Sequence, residues 1–412
     1  MDILKVKKTR LVGKVKVSGA KNAALKLLTA SVLTSGKVEI IDSPNGLLDM
    51  QIHIAMLEKM GKTCRAEKGY LCIEENKELS NELLWEERSI RNSLLILGSL
   101  TTRFYQGKVP LPGGCPLGDR KYDLHVKILE LFGAKVWEEE GYLCTKSDGR
   151  LKGCNIYLPI RSTGATENAI LCASLAVGKT TIWNPHIRPE VLDLIEMLEK
   201  MGAKIKVHGQ KCIEISGVEK LEGVKHKVVP DNMEAITWAI ASAITDGDIE
   251  IENFPFEHLE VPLVFLRESG MKYYRGENSL IVRGSVPYPV EISTGPYPGI
   301  NSDMQPLFAI YGASSQGESK IVDLRFPGRY GYAAELAKMG VNFTIEGDLL
   351  KIRGGTPLKG CNVKALDLRA GMALLLAGLI ADGDTVIEDA WQIERGYENL
   401  TEKLKALSFE IS

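Results

Sequence analysis

Apolar and polar positions along the chain spell one repeated phrase. A helix of small and branched residues comes first, then a Gly-containing turn, a β-rich run and a polar stretch. A second helix follows and closes on Met-Gly or a similar pair. The first copy runs from Thr29-Ala30-Ser31-Val32 past Gly36 into Val38-Glu39-Ile40-Ile41 and closes at Leu57-Glu58-Lys59-Met60-Gly61. Its counterparts close at Gly133, Gly202, Gly270 and Gly340, and Ser408 takes the sixth place. The spacing, roughly 70 residues, is too long for a solenoid of simple helix pairs. Helical periods alternate with short β-branched runs such as Ile249-Glu250-Ile251, so the pattern predicts a mixed α/β fold of six units. Six such units exceed one comfortable core, which predicts two lobes of three. The glycine after each first helix, Gly36 or Gly247 for example, is expected to be a C′ cap. A boundary is expected at Val229-Pro230-Asp231-Asn232, where a strand-like run meets proline and a capping acid. The run from Thr9 to Val17 suits a strand in either lobe.

Composition narrows the class. The 412 residues are 44% hydrophobic and 25% charged, as in a globular protein, and the net charge of -2 excludes a nucleic-acid binder relying on bulk charge. Eight cysteines lie scattered without paired metal-ligand spacing and predict reduced thiols in a cytoplasmic protein. No apolar run follows the charged N-terminus, so neither a leader nor a membrane association is expected.

A few polar residues are not explained by the repeat. Val109 to Arg120 holds Pro110, Pro112, Gly113, Gly114, Cys115, Pro116 and Gly118, a loop composition with a thiol inside it. Neighbouring cations raise the thiolate fraction, so Cys115 is either a reactive thiol or a free surface cysteine. Lys21 and Asn22 open the first helix after Ser18-Gly19, where a positive helix end and a lysine together favour an anion; a solvated helix start is the alternative. Arg91, Arg120 and Arg395 offer planar forks for phosphate or carboxylate. Asp303 and Asp367 both open helices. Each acid either caps its helix or, facing a cleft, takes a proton from a substrate hydroxyl.

In this order Ser18 to Ala24, Pro112 to Gly118 with Arg120, Thr163-Gly164-Ala165-Thr166-Glu167-Asn168, Ser302-Asp303-Met304-Gln305, Asp367-Leu368-Arg369-Ala370 and Arg395-Gly396-Tyr397-Glu398 resemble the UDP-N-acetylglucosamine 1-carboxyvinyltransferases over essentially the full length. The Pro-Gly-Gly-Cys stretch is the most specific part. The resemblance implies a two-lobed inside-out α/β barrel, with three βαβαββ-like units per lobe and the active site in the cleft between lobes. Residues 21–229 would form the lobe carrying Cys115. Residues 1–20 and 230–412 would form the lobe carrying Asp303, Asp367 and Arg395.

The implied reaction moves the enolpyruvyl group of phosphoenolpyruvate to the sugar 3-hydroxyl by addition and then elimination of phosphate, at the start of peptidoglycan precursor synthesis. Lys21, Arg91, Arg120 and Arg395 would hold phosphate and carboxylate, and Asn22 would orient the sugar. Asp123, Leu124, Ser162, Gly164 and Arg329 would complete substrate binding. Cys115 would act as an acid and form a covalent adduct, Asp303 would be the base, and Asp367 and Arg369 would support proton transfers. The resemblance implies no metal or organic cofactor, closure of the lobes over the substrates, and sensitivity to fosfomycin. It implies small-molecule partners only, with neither nucleic acid nor membrane, in a monomer or weak homo-oligomer. The chain departs from the family at Lys121-Tyr122, Thr163, Asn301-Ser302, Pro327-Gly328 and Gln392. Most of these fall on the acceptor side. An enolpyruvyl transferase with another nucleotide or nucleoside acceptor, or a non-catalytic sugar-nucleotide-binding paralogue, are the alternatives.

Overall fold

A computed structural model describes residues 2–113 and 121–408, so Cys115 and Arg120 lie outside the described residues. The chain forms two units, Gly19–Val229 and Met1–Ser18 with Pro230–Ser412. Each unit contains three small sheets among the described residues.

In the unit Gly19–Val229, one sheet orders Val224–Lys227, Val38–Ser43, Gly69–Glu74 and Thr63–Glu67. Val38 pairs in parallel with Val224 and antiparallel with Ile73, so the last strand of the unit completes its first sheet. A second sheet joins Gln106–Pro110, Tyr142–Ser147 and Ala134–Glu139. The third joins Lys204–His208, Cys212–Ser216, Lys179–Trp183 and Asn155–Tyr157. The other unit follows the same plan. Its N-terminal strand Val12–Lys16 runs parallel to Asp248–Glu252, which settles where the run from Thr9 to Val17 belongs. Ile3–Val6 runs antiparallel to Thr385–Glu388.

The sheets enclose helices. Lys21–Ala30, Ser93–Phe104 and Thr163–Ser174 in one unit are buried on nearly every face, as are Asn232–Ile244, Gln305–Ala313 and Leu368–Ile380 in the other. A helix that is apolar all round has no solvent face and belongs in a core. Small residues let these helices approach closely: a Cβ on Gly98 would overlap Asn168 Oδ1. The closing helices are instead amphipathic. Pro189–Lys200 buries Val191, Leu194, Ile195, Met197 and Leu198 and leaves Glu199 and Lys200 in water.

The closing glycines are left-handed. Gly61, Gly133, Gly202, Gly270 and Gly340 have φ of 116, 95, 104, 87 and 103°, and Ser408 holds the same place at 63°. Gly61 N–H donates to Glu58 O and Lys62 N–H to Leu57 O, both at 3.0 Å, satisfying carbonyls that the helix end would leave open. Of the glycines expected to follow each first helix, Gly178, Gly317 and Gly383 are left-handed too, at φ of 90, 134 and 89°, whereas Gly36 and Gly247 are not. Gly36 lies several residues beyond its helix, and Gly247 is required because a Cβ would meet Leu11 O at 2.6 Å. At the boundary, Asp231 caps Asn232–Ile244 by accepting from Met233 N–H at 2.8 Å and Glu234 N–H at 3.0 Å. No helix among the described residues is long and apolar enough to cross a membrane.

Candidate active site

The expected site residues that the structure describes are divided between the two units, and many stand at or beside helix starts. In Gly19–Val229, Lys21 is the first residue of its helix, and no acid occupies that first turn. Its side chain is 10% exposed, and Nζ lies 3.2 Å from Asp49 Oδ2 at the start of Leu48–Met60. A buried ammonium at a positive helix end is a strong anion locus, which Asp49 partly neutralises. Asn22, next on the helix, is half-buried.

Arg91 lies just before Ser93–Phe104 and donates from Nη2 to Lys121 O at 2.8 Å. Gly113 packs so closely on Ser89 O that no Cβ fits there. The two residues flanking 114–120 are therefore both tied to the Ser89–Arg91 segment. Asp123 is exposed at the start of Asp123–Leu131, and Leu124 is partly buried against the core. Ser162 caps Thr163–Ser174, accepting from Ala165 N–H at 3.5 Å. A Cβ on Gly164 would lie 3.2 Å from His125 Nε2. Two of the departures bond within the unit: Tyr122 donates its hydroxyl proton to Glu138, and Thr163 Oγ1 lies 2.8 Å from His186 Nδ1.

Below these side chains is a buried polar group. Lys26 Nζ lies 2.9 Å from Asn92 Oδ1 and 3.6 Å from Glu167 Oε2. Burial pushes the Glu167 carboxyl up to about 7, and Lys26 only partly offsets it. Burial also pulls His53 and His125 down to about 3, so both imidazoles are neutral near pH 7.

In the other unit, Asp303 sits in a one-turn helix, Ser302–Met304, capped by Asn301. Arg329 Nη1 donates to Asp303 Oδ1 at 2.8 Å, and Arg369 Nε lies 3.8 Å from Asp303 Oδ2. Asp367 combines both roles weighed for it. Oδ1 caps Leu368–Ile380 by accepting from the N–H of Arg369 and Ala370 at 2.7 and 2.8 Å, while Oδ2 lies 3.6 Å from Arg329 Nη2. Two acids and two guanidiniums thus interlock. Burial works against the charge on Arg369, yet Tyr397, Asp303 and Asp231 outweigh it and hold its pKa above the usual guanidinium value. Arg395 is buried and donates from Nη1 to Gln392 Oε1 at 3.1 Å.

The structure adds residues that sequence reasoning missed. Asp323 is fully buried and accepts from Thr294 Oγ1 at 2.8 Å, Ser302 Oγ at 2.5 Å and the N–H of Arg325 and Phe326 at 3.0 and 2.9 Å. It thereby holds both the turn bearing Asp303 and the loop leading to Arg329. Its side-chain partners Thr294 and Ser302 come from distant segments, so no local pattern marks what it holds together. Lys26 did carry a signal, a cation among the apolar residues Ala23 to Leu28 of its helix.

The model described as EPSP synthase (3-phosphoshikimate 1-carboxyvinyltransferase) matches residues 6–404. The chain belongs to the EPSP synthase family. Within it, the chain is 41% identical to UDP-N-acetylglucosamine 1-carboxyvinyltransferase 1 of Carboxydothermus hydrogenoformans, over 97% of this chain and 95% of that one. It is also 41% identical to UDP-N-acetylglucosamine 1-carboxyvinyltransferase of Koribacter versatilis, over 98% and 94%. The crystal structure of the enolpyruvyl transferase NikO from Streptomyces tendae shares the fold, with a TM-score of 0.89, 24% identity, and coverage of 100% and 98%.

Proposed function

We propose that this family member transfers the enolpyruvyl group of phosphoenolpyruvate to the 3-hydroxyl of UDP-N-acetylglucosamine and releases phosphate, in the cytoplasmic synthesis of peptidoglycan precursors. The observation that carries this reading is the full-length 41% identity to transferases named for that acceptor. The arrangement of charged groups around Asp303 and Lys21 supports it.

In the addition step the sugar oxygen bonds to C2 of phosphoenolpyruvate, its proton passes to Asp303, and Cys115 donates a proton to C3. In the elimination step the Cys115 thiolate takes a proton back from C3, the C2–C3 double bond re-forms as the bond from C2 to the phosphate oxygen breaks, and inorganic phosphate leaves with the proton that Asp303 held. Lys21, Arg91, Arg120 and Arg395 hold the phosphate and carboxylate, offsetting negative charge that grows on the departing group. Arg329 and Arg369 keep the Asp303 carboxylate oriented toward one hydroxyl. Asn22, Asp123, Leu124, Ser162 and Gly164 bind the sugar nucleotide. Asp367 fixes the start of its helix and, through Arg329, the orientation of Asp303.

The test is phosphate release from phosphoenolpyruvate with UDP-N-acetylglucosamine, with UMP, and without acceptor, for the wild type and Cys115→Ser. Release that requires UDP-N-acetylglucosamine and falls in the variant is expected. Release with UMP alone moves the activity to another acceptor, and binding without any release leaves a non-catalytic protein.

A further inference from the structure

The buried group around Lys26 has no evident purpose in packing. Lys26 lies on a helix whose other buried residues are apolar except Lys21 and Thr29, and its side chain is only 16% exposed. Glu167 is 1% exposed, and neither of its oxygens has a hydrogen-bond partner among the described residues. Well-packed apolar residues of similar volume are often at least as stable as a buried ion pair, so stability alone does not explain this one.

Its connections do suggest a use. Lys26 is four residues after Asn22, on the same helix face. Asn92, which accepts from Lys26, directly follows Arg91, and its amide donates to Leu25 O at 2.8 Å and Thr29 Oγ1 at 2.7 Å. Glu167 lies in the helix that Ser162 caps and whose first turn holds Gly164. One ammonium therefore links the starts of three helices, and each start bears residues assigned to substrate binding.

We infer that Lys26 is a positioning residue, which through Asn92 and Glu167 holds Asn22, Arg91, Ser162 and Gly164 at the spacing the sugar nucleotide requires. The inference rests on the proposed transferase reaction. Lys26 touches no reacting atom in this account. Its loss lets the three helix starts shift by fractions of an ångström, which weakens binding more than it slows chemistry.

The experiment compares the wild type with Lys26→Met and with Lys26→Met/Glu167→Gln, reading melting temperature, kcat and the KM for UDP-N-acetylglucosamine. The double variant removes both buried charges, so no unpaired ion remains to unfold it. The expected result is a double variant that melts near the wild type, with KM raised about tenfold and kcat changed less than about threefold. A folded double variant with the wild-type KM overturns the inference, because the pair would then only neutralise itself. If neither variant folds, Asn92→Ser takes their place: it must raise the same KM, and an unchanged KM overturns the inference. Wild-type turnover is measured first. Its absence overturns the proposed reaction and this role with it, whereas turnover with unaltered variant KM overturns the role alone.

Discussion

Glu167→Gln isolates the cost of burying one carboxyl. In the folded chain burial raises this group from an ordinary 4.5 to about 7, with Glu190 adding to the rise and Lys26 and Arg188 opposing it. A carboxyl raised on folding stabilises the fold fully below its unfolded pKa. That contribution is lost as pH climbs through the folded pKa, because the unfolded chain releases the proton first. The window is therefore from 4.5 to about 7, and the shift corresponds to about 3 kcal/mol at about 1.4 kcal/mol per unit. His53 and His125 act in the opposite sense: pulled down to about 3, they cost stability as pH falls below 6.5. Both proteins share those histidines, so the difference between wild type and variant reports Glu167. Urea unfolding of each at about pH 5 and about pH 8 measures it. The variant is expected to gain about 3 kcal/mol on the wild type between the two. A difference that stays constant with pH would refute the argument and show that Glu167 is ionised equally in folded and unfolded chains.

Other perturbations follow from single contacts. Asp323→Ala leaves Thr294, Ser302 and two backbone N–H groups without their acceptor, so urea unfolding should show a loss of about 3 kcal/mol. Turnover should fall more than this loss of folded protein explains, because the Asp303 turn is freed. Gly61→Ala places a Cβ at φ 116° and is expected to cost about 1–2 kcal/mol by the same assay. Ser408→Gly, at φ 63° in the equivalent place, should instead stabilise by up to about 1 kcal/mol. On the proposed reaction, fosfomycin should label the wild type covalently and leave Cys115→Ser unlabelled, read as the mass of the intact protein.

Much of the fold was legible because it is local and repeated. The closing glycines and Ser408 could be read as one periodic signal, and all six adopt positive φ, the five glycines where a helix turns into a strand. Asp231 was legible as a cap because the acid, the helix start and the preceding proline are adjacent. The pairing of Val224–Lys227 with Val38–Ser43 was not, because nothing in either strand encodes a partner so distant in the chain. The candidate site divides in the same way. Lys21, Asp303 and Asp367 lie in short motifs at helix starts, where type and position together suggest chemistry. Asp49, Asp323 and the Lys26 group depend on contacts between segments, which one sequence does not display. The expected C′ caps at Gly36 and Gly247 failed because glycine also serves close backbone approach, and composition does not separate the two uses.

The central claim is tested most directly by the product itself. The wild-type protein is incubated with phosphoenolpyruvate and UDP-N-acetylglucosamine, the nucleotide is analysed by mass spectrometry, and free phosphate is measured in the same sample. The account predicts the enolpyruvyl ether of UDP-N-acetylglucosamine and one phosphate for each ether formed. An unchanged nucleotide, from a folded protein that binds both compounds, would contradict it.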